Sequence, residues 1–112
     1  MIETIIINYL SKKLDIPVYA EIPENAPEQF FIVEKTGSSI VNRLRHATVA
    51  IQSYAGTMLD AAKLNDELIE KMLLIPEVAE VSACELNSDY NYTDTTTKRY
   101  RYQAVFEITY HN

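Results

Sequence analysis

From Tyr100 to Tyr110 the chain alternates. Tyr100, Tyr102, Ala104, Phe106, Ile108 and Tyr110 fall on one parity, and Arg99, Arg101, Gln103, Glu107 and Thr109 on the other. Successive side chains of a strand point to opposite faces, so this pattern predicts a long strand with one face in a core. Such a strand is not stable alone. It commits the chain to a sheet with something packed against one side.

Other segments supply the neighbours. Residues 46–54 alternate in the same way, with Ala47, Val49 and Ile51 pointing one way and Thr48, Gln52 and Tyr54 the other. Phe30-Phe31-Ile32-Val33-Glu34-Lys35 is apolar on both faces at its centre, which places it mid-sheet or under a cover on its outer face. Val78 to Leu86 reads as a strand of mixed pattern. Val18 to Ile22 reads as a short strand with Val18, Ala20 and Ile22 inward, and Pro23 to Pro27 then turns or runs extended.

Two segments have helical spacing. Ile2, Ile5, Ile6, Tyr9 and Leu10 share one helix face, Glu3 and Asn8 face solvent, and Lys12 and Lys13 favour a C-terminus. Thr57 with Asp60 is a capping box in its looser form, so a longer helix is expected from Met58. Its apolar stripe is Met58, Leu59, Ala62, Ile69, Met72 and Leu73, widened by Leu64 and Leu68, and Ile75-Pro76 ends it. The order helix, two or three strands, long helix, two strands predicts an α+β fold. It has a mainly antiparallel sheet of four to five strands, with both helices on one face, in a single domain over residues 1–112.

Charge and cysteine usage narrow the function classes. The net charge is −6, which disfavours binding to nucleic-acid phosphates. The charge is uneven: residues 57–90 carry eight acids against Lys63 and Lys71, whereas 36–56 carry Arg43 and Arg45 and no acid. A lone cysteine, Cys84, excludes an internal disulfide and suits a reducing compartment. The N-terminus has its apolar residues first and its lysines last, the reverse of a signal peptide. No apolar run reaches the ~18 residues of a membrane span.

No constellation for catalysis or cofactor binding is visible. His46 and His111 stand at the head of a strand and near the terminus, and Cys84 lies within an alternating strand. Neither CxxC nor HxxxH spacing occurs, and the two glycines form no phosphate loop. The expectation is a non-enzymatic protein without cofactor or metal.

Two long connections stand out. Residues 38–46 interleave Ile40, Val41 and Leu44 with Arg43 and Arg45, an interface composition in a loop longer than an ordinary hairpin turn. Residues 87–99 carry Tyr90, Tyr92, Lys98 and Arg99. Tyrosines beside cations suit base stacking or protein contact. Tyr100, Tyr102 and Tyr110 share the apolar face and belong to the core and its rim. These nine loop residues are the candidate protein-interface site.

The run VYAEIPENAPEQFFIVEKTG, then NRLRHATVAIQSYA, then DYNYTDTTTKRYRYQAVFEITY around one long helix resembles the tail terminator, or tail completion, proteins of long-tailed phages and prophages. The resemblance covers roughly residues 14–110. It departs from the common pattern where Thr93-Asp94-Thr95-Thr96-Thr97 replaces a Pro-Asp and a glycine of many members. It implies a virion protein, assembled in the bacterial cytoplasm, that forms a ring, usually a hexamer, on the head-proximal end of the tail tube. Its partners would be itself, the major tail tube protein and the head-completion or stopper protein, with DNA passing through unbound and no membrane contact. Basic loops and an acidic long helix would supply the complementary patches of such a ring. Another neck, connector or minor capsid component has the same composition. A small bacterial ligand-binding or regulatory module also fits, and calls for a pocket with convergent polar groups.

Overall fold

The computed structural model describes residues 1–111. Five strands form one sheet in the order β1-β2-β3-β5-β4: β1 Val18–Tyr19, β2 Phe30–Val41, β3 Leu44–Ala55, β4 Val81–Asn91 and β5 Tyr100–Tyr110. Only β1 and β2 run parallel; every other pair is antiparallel. Helix α1, Ile2–Lys13, and helix α2, Met58–Met72, pack on the same face. The α+β architecture with a mostly antiparallel sheet is thus the one the alternation calls for.

The alternation of β5 explains where the core sits. Ala104, Phe106, Ile108 and Tyr110 are buried against Val49, Ile51, Phe31 and Val33 of the neighbouring strands and against Ile6, Leu10, Leu64 and Leu68 of the helices. Tyr9 Oη donates to the Lys71 carbonyl at 2.8 Å, tying α1 to the end of α2. The α2 N-terminus is capped as expected: Thr57 Oγ1 accepts from the Asp60 N–H at 3.1 Å.

Several expectations are corrected. Residues 36–46 are not a loop. β2 and β3 stay paired as far as Val41↔Leu44, and the only irregularity there is a bulge between Lys35 and Gly37, at Thr36. Asn42 and Arg43 close the hairpin with φ of 51° and 67°, the left-handed pair that a two-residue turn matching strand twist requires. With neither Asn-Gly nor Asp-Gly there, the turn is hard to see in sequence. Residues 87–99 shrink likewise, because β4 extends to Asn91 and Asp94 pairs again with Arg99.

The first short strand stops at Tyr19, since its ladder to β2 covers only Phe31 and Ile32. Beyond it, Ala20 and Ile22 are exposed rather than inward, and Pro23 and Pro27 have no N–H to extend a ladder. The buried stripe of α2 is Ala61, Leu64, Asn65, Leu68 and Met72; Leu59 and Leu73 lie exposed. The helix rotates so that Asn65 Nδ2 can donate to Asp89 Oδ2 at 2.9 Å. It ends at Met72, before a 3-10 turn at Ile75–Glu77 that holds Pro76 near its start. That turn delays the fourth strand from Val78 to Val81. Glu3 is half-buried rather than solvent-facing, with Oε1 enclosed.

Candidate functional site

The nine candidate residues separate into two groups at opposite ends of the sheet. β3 begins, β5 ends and β4 begins around the paired positions Arg45, Tyr110 and Val81, and the β2–β3 turn projects past that end. The β4–β5 turn lies past Ala55↔Tyr100, at the other. Twelve strand residues at ~3.3 Å each span about 40 Å, in keeping with a molecule of 43 × 25 × 25 Å.

At the first end Ile40, Val41 and Leu44 are 62%, 53% and 40% exposed, and Arg43 and Arg45 stand beside them. The last ladder position shared with β5 is Arg45↔Tyr110. Beyond it the tip consists of the Val41↔Leu44 pair and the Asn42-Arg43 turn. Among the described residues neither arginine has an ion-pair partner, and the ion pair is Lys13 Nζ to Glu77 Oε1 at 2.8 Å.

At the other end Asp94 organises the turn. Its Oδ1 accepts from the N–H groups of Thr96 at 3.0 Å and Thr97 at 3.4 Å. Hydrogen bonding from Thr97, then Thr96, holds its carboxyl below the ordinary value. Lys98 has φ of 55°, adopting the left-handed conformation without a glycine. Lys98 and Arg99 are exposed, and Tyr90 and Tyr92 are about two-fifths exposed.

The sheet face away from the helices carries a feature that composition alone does not announce. Aromatic rings and the Arg101 guanidinium cross all five strands in a row, and Arg99 also lies over Tyr54, at 5.9 Å. Tyr19 meets Phe30 edge-on at 6.1 Å, and Phe30 stacks on Tyr54 at 4.5 Å. Arg101 lies over Tyr54 at 5.7 Å and over Tyr92 at 4.5 Å, and Tyr92 meets Tyr90 edge-on at 6.0 Å. Arg101 Nη1 donates to Tyr54 Oη at 2.8 Å and Nε to the Tyr92 carbonyl at 2.7 Å. One row along, Gln52 donates to Gln103 Oε1, and Gln103 Nε2 donates to Tyr90 Oη at 2.6 Å. This row explains how Phe30 and Ile32 are buried on a face without a helix: Tyr54, Tyr19 and Ala26 cover them. Gln52, Tyr54, Arg101 and Gln103 were legible only as the polar parity of two strands. Pairing register, which sequence does not show, brings them together.

The groups with nucleophilic or basic potential are dispersed. Cys84 is half-buried at the core's margin, and burial, then Glu85, pushes its thiol up to about 12. That disfavours the thiolate a nucleophile needs. His46 Nδ1 lies 3.2 Å from Thr109 Oγ1, and His111 is exposed with its N–H on the Glu80 carbonyl. Among the described residues no three or more His, Cys, Asp or Glu side chains group as metal ligands, and no helix is long and apolar enough to cross a membrane. A groove of about 870 Å³ between α1 and the segment after α2 is lined by Ile5, Tyr9, Lys12, Lys13, Glu77 and Glu80. A scan of protein-family models finds no match to the chain, and no curated protein matches it significantly.

Proposed function

We propose that this chain is a structural assembly protein that joins copies of itself into a closed ring on the head-proximal end of a phage tail tube. The ring ends tube polymerisation and offers a face to head-completion proteins. One observation carries the reading: the β2–β3 turn at the end of the sheet presents Ile40, Val41 and Leu44 to solvent beside Arg43 and Arg45, which have no ion-pair partner among the described residues. Apolar side chains so exposed at a preformed turn are only partly covered by their own chain, and uncovered apolar surface of this kind marks an interaction site. The resemblance over roughly residues 14–110 to tail terminator proteins supplies the identity of the assembly.

A terminator must end a stack, and a cyclic ring of heterologous contacts leaves no free interface in its own plane. A net charge of −6 suits a conduit through which DNA slides rather than sticks. Light scattering on the free protein, followed by electron microscopy with purified tail tubes, tests the reading. Rings at tube tips are the expected result; a monomer that neither closes into rings nor caps tubes overturns it. Replacing Arg43 and Arg45 by alanine is expected to change stability by under ~0.5 kcal/mol, as exposed positions do, yet weaken ring formation.

A small ligand-binding module is the second reading, and the 870 Å³ groove favours it. Its Lys13 and Glu77 already engage each other, which leaves fewer polar groups to converge on a ligand.

A further inference from the structure

We infer that the groove on the open sheet face, between the connection after β1 and Tyr92, receives the β2–β3 hairpin tip of a second copy of this chain. The inference rests on the self-assembly reading above and names the surface that assembly uses. The groove encloses about 360 Å³ over a floor of Ile32, Gln52 and Tyr54. Glu21 and Ile22 form one wall, Tyr92 and Arg101 the other, and Glu34 closes the end toward the tip.

Charge selects the occupant. The chain from Ala20 to Glu34 carries Glu21, Glu24, Glu28 and Glu34 and no base, while Lys35 to Arg45 carries Lys35, Arg43 and Arg45 and no acid. Glu21 and Glu34 have no ion-pair partner among the described residues, and neither do Arg43 and Arg45. Arg101 keeps its positive charge in the groove wall, where Tyr54 and Tyr92 fix its position from two sides, so Glu21 and Glu34 together still leave the groove net negative. The apolar parts also match. Ile22 is 44% exposed on the groove's rim and Tyr92 stands opposite, against Ile40, Val41 and Leu44 on the tip. Both partners are preorganised: the tip by its Asn42-Arg43 turn, the floor by the Phe30–Tyr54 stack and the Gln52–Gln103 bond.

Placement makes the contact intermolecular. Gln52 lies eight residues along β3 from Leu44, roughly 27 Å at the rise of a strand, so a tip does not reach its own groove. A tip and a groove at opposite ends make a heterologous contact. Repeated with a rotation that divides a full turn, such a contact closes into a ring.

Charge reversal tests this. One variant carries Arg43→Glu and Arg45→Glu, the other Glu21→Arg and Glu34→Arg, and circular dichroism checks that both fold. Each variant alone sets like charge against like and is expected to self-associate at least ~tenfold more weakly than the native chain in sedimentation. An equimolar mixture restores complementarity at every junction, because each altered tip meets an altered groove and each native tip a native one. Recovery of native-size assemblies in the mixture is the expected outcome. Variants that assemble like the native chain, or a mixture no better than either alone, overturn the assignment while leaving tube capping to be judged separately.

A second measurement covers weak association. In a Cys84→Ala background, Leu44→Cys and Ile22→Cys chains are mixed at up to ~1 mM and oxidised. A disulfide-linked heterodimer in excess over either homodimer is expected. Its absence overturns the assignment, whereas failure of the native chain to cap tail tubes would instead remove the terminator reading.

Discussion

Arg43 carries a backbone strain and a charge at once. Its φ of 67° costs an L-residue roughly 1–2 kcal/mol relative to the right-handed region, a cost glycine does not bear. Replacing Arg43 by glycine is therefore expected to stabilise the fold by ~0.5–1 kcal/mol in urea denaturation, while weakening self-association by removing a tip charge. At Cys84 a reactive group is silenced. Burial raises its thiol from 9.0 to about 12, so the folded chain keeps the proton between those values while the unfolded chain loses it. Its contribution is fully present below pH 9.0 and falls as pH rises toward 12. Cys84→Val is expected to flatten that alkaline decline in pH-dependent melts, and native Cys84 is expected to resist alkylation at neutral pH.

At the scale of elements, single polar contacts on α2 and on the open face can be tested one at a time. Thr57 supplies the side-chain cap of α2, and Thr57→Ala is expected to cost about 1 kcal/mol, read as a lower urea midpoint with unchanged slope. On the open face, Arg101 joins β3 to the end of β4 through a planar fork. Lysine has one point charge and cannot reproduce both bonds at 2.7 and 2.8 Å while stacking on Tyr92. Arg101→Lys is expected to cost ~1–2 kcal/mol by urea denaturation and to loosen Tyr92, seen as increased amide exchange around residues 91–93. The strand ladders themselves tolerate this, because β3–β5 pairing runs over eleven positions.

For the whole molecule, the governing facts are its length and its charge distribution. Two hairpins turn at opposite ends of a 43 Å body, which gives any assembly built from their tips a direction. A net charge of −6 opposes binding to phosphates. Duplex DNA is expected to bind weakly if at all in an electrophoretic shift at physiological salt. Sub-micromolar affinity would contradict the conduit picture and point instead to the open aromatic row as a base-stacking surface.

The chain's periodicities determined much of this by themselves. Alternation in β5 and β3 settled that there is a sheet with one helix-covered face, and 3.6-residue spacing with a Thr57 cap located both helices. These are local properties, visible because burial on one face imposes a fixed period. Tyr100, Tyr102 and Tyr110 were legible as core or rim for the same reason. Tertiary structure decided what has no period. The Asn42-Arg43 turn converted an apparent loop into the end of a paired hairpin, because backbone angles follow from the ladder on either side as much as from residue type. Pairing register aligned Tyr54 with Arg101 and Gln52 with Gln103, and so built an aromatic and amide row from residues up to fifty-one positions apart. The exposed ends of the two hairpins are legible as composition. That they lie at opposite ends of the sheet, and that a groove flanked by Glu21 and Glu34 lies nearer one of them, depends on strand order, which only packing of the whole chain specifies.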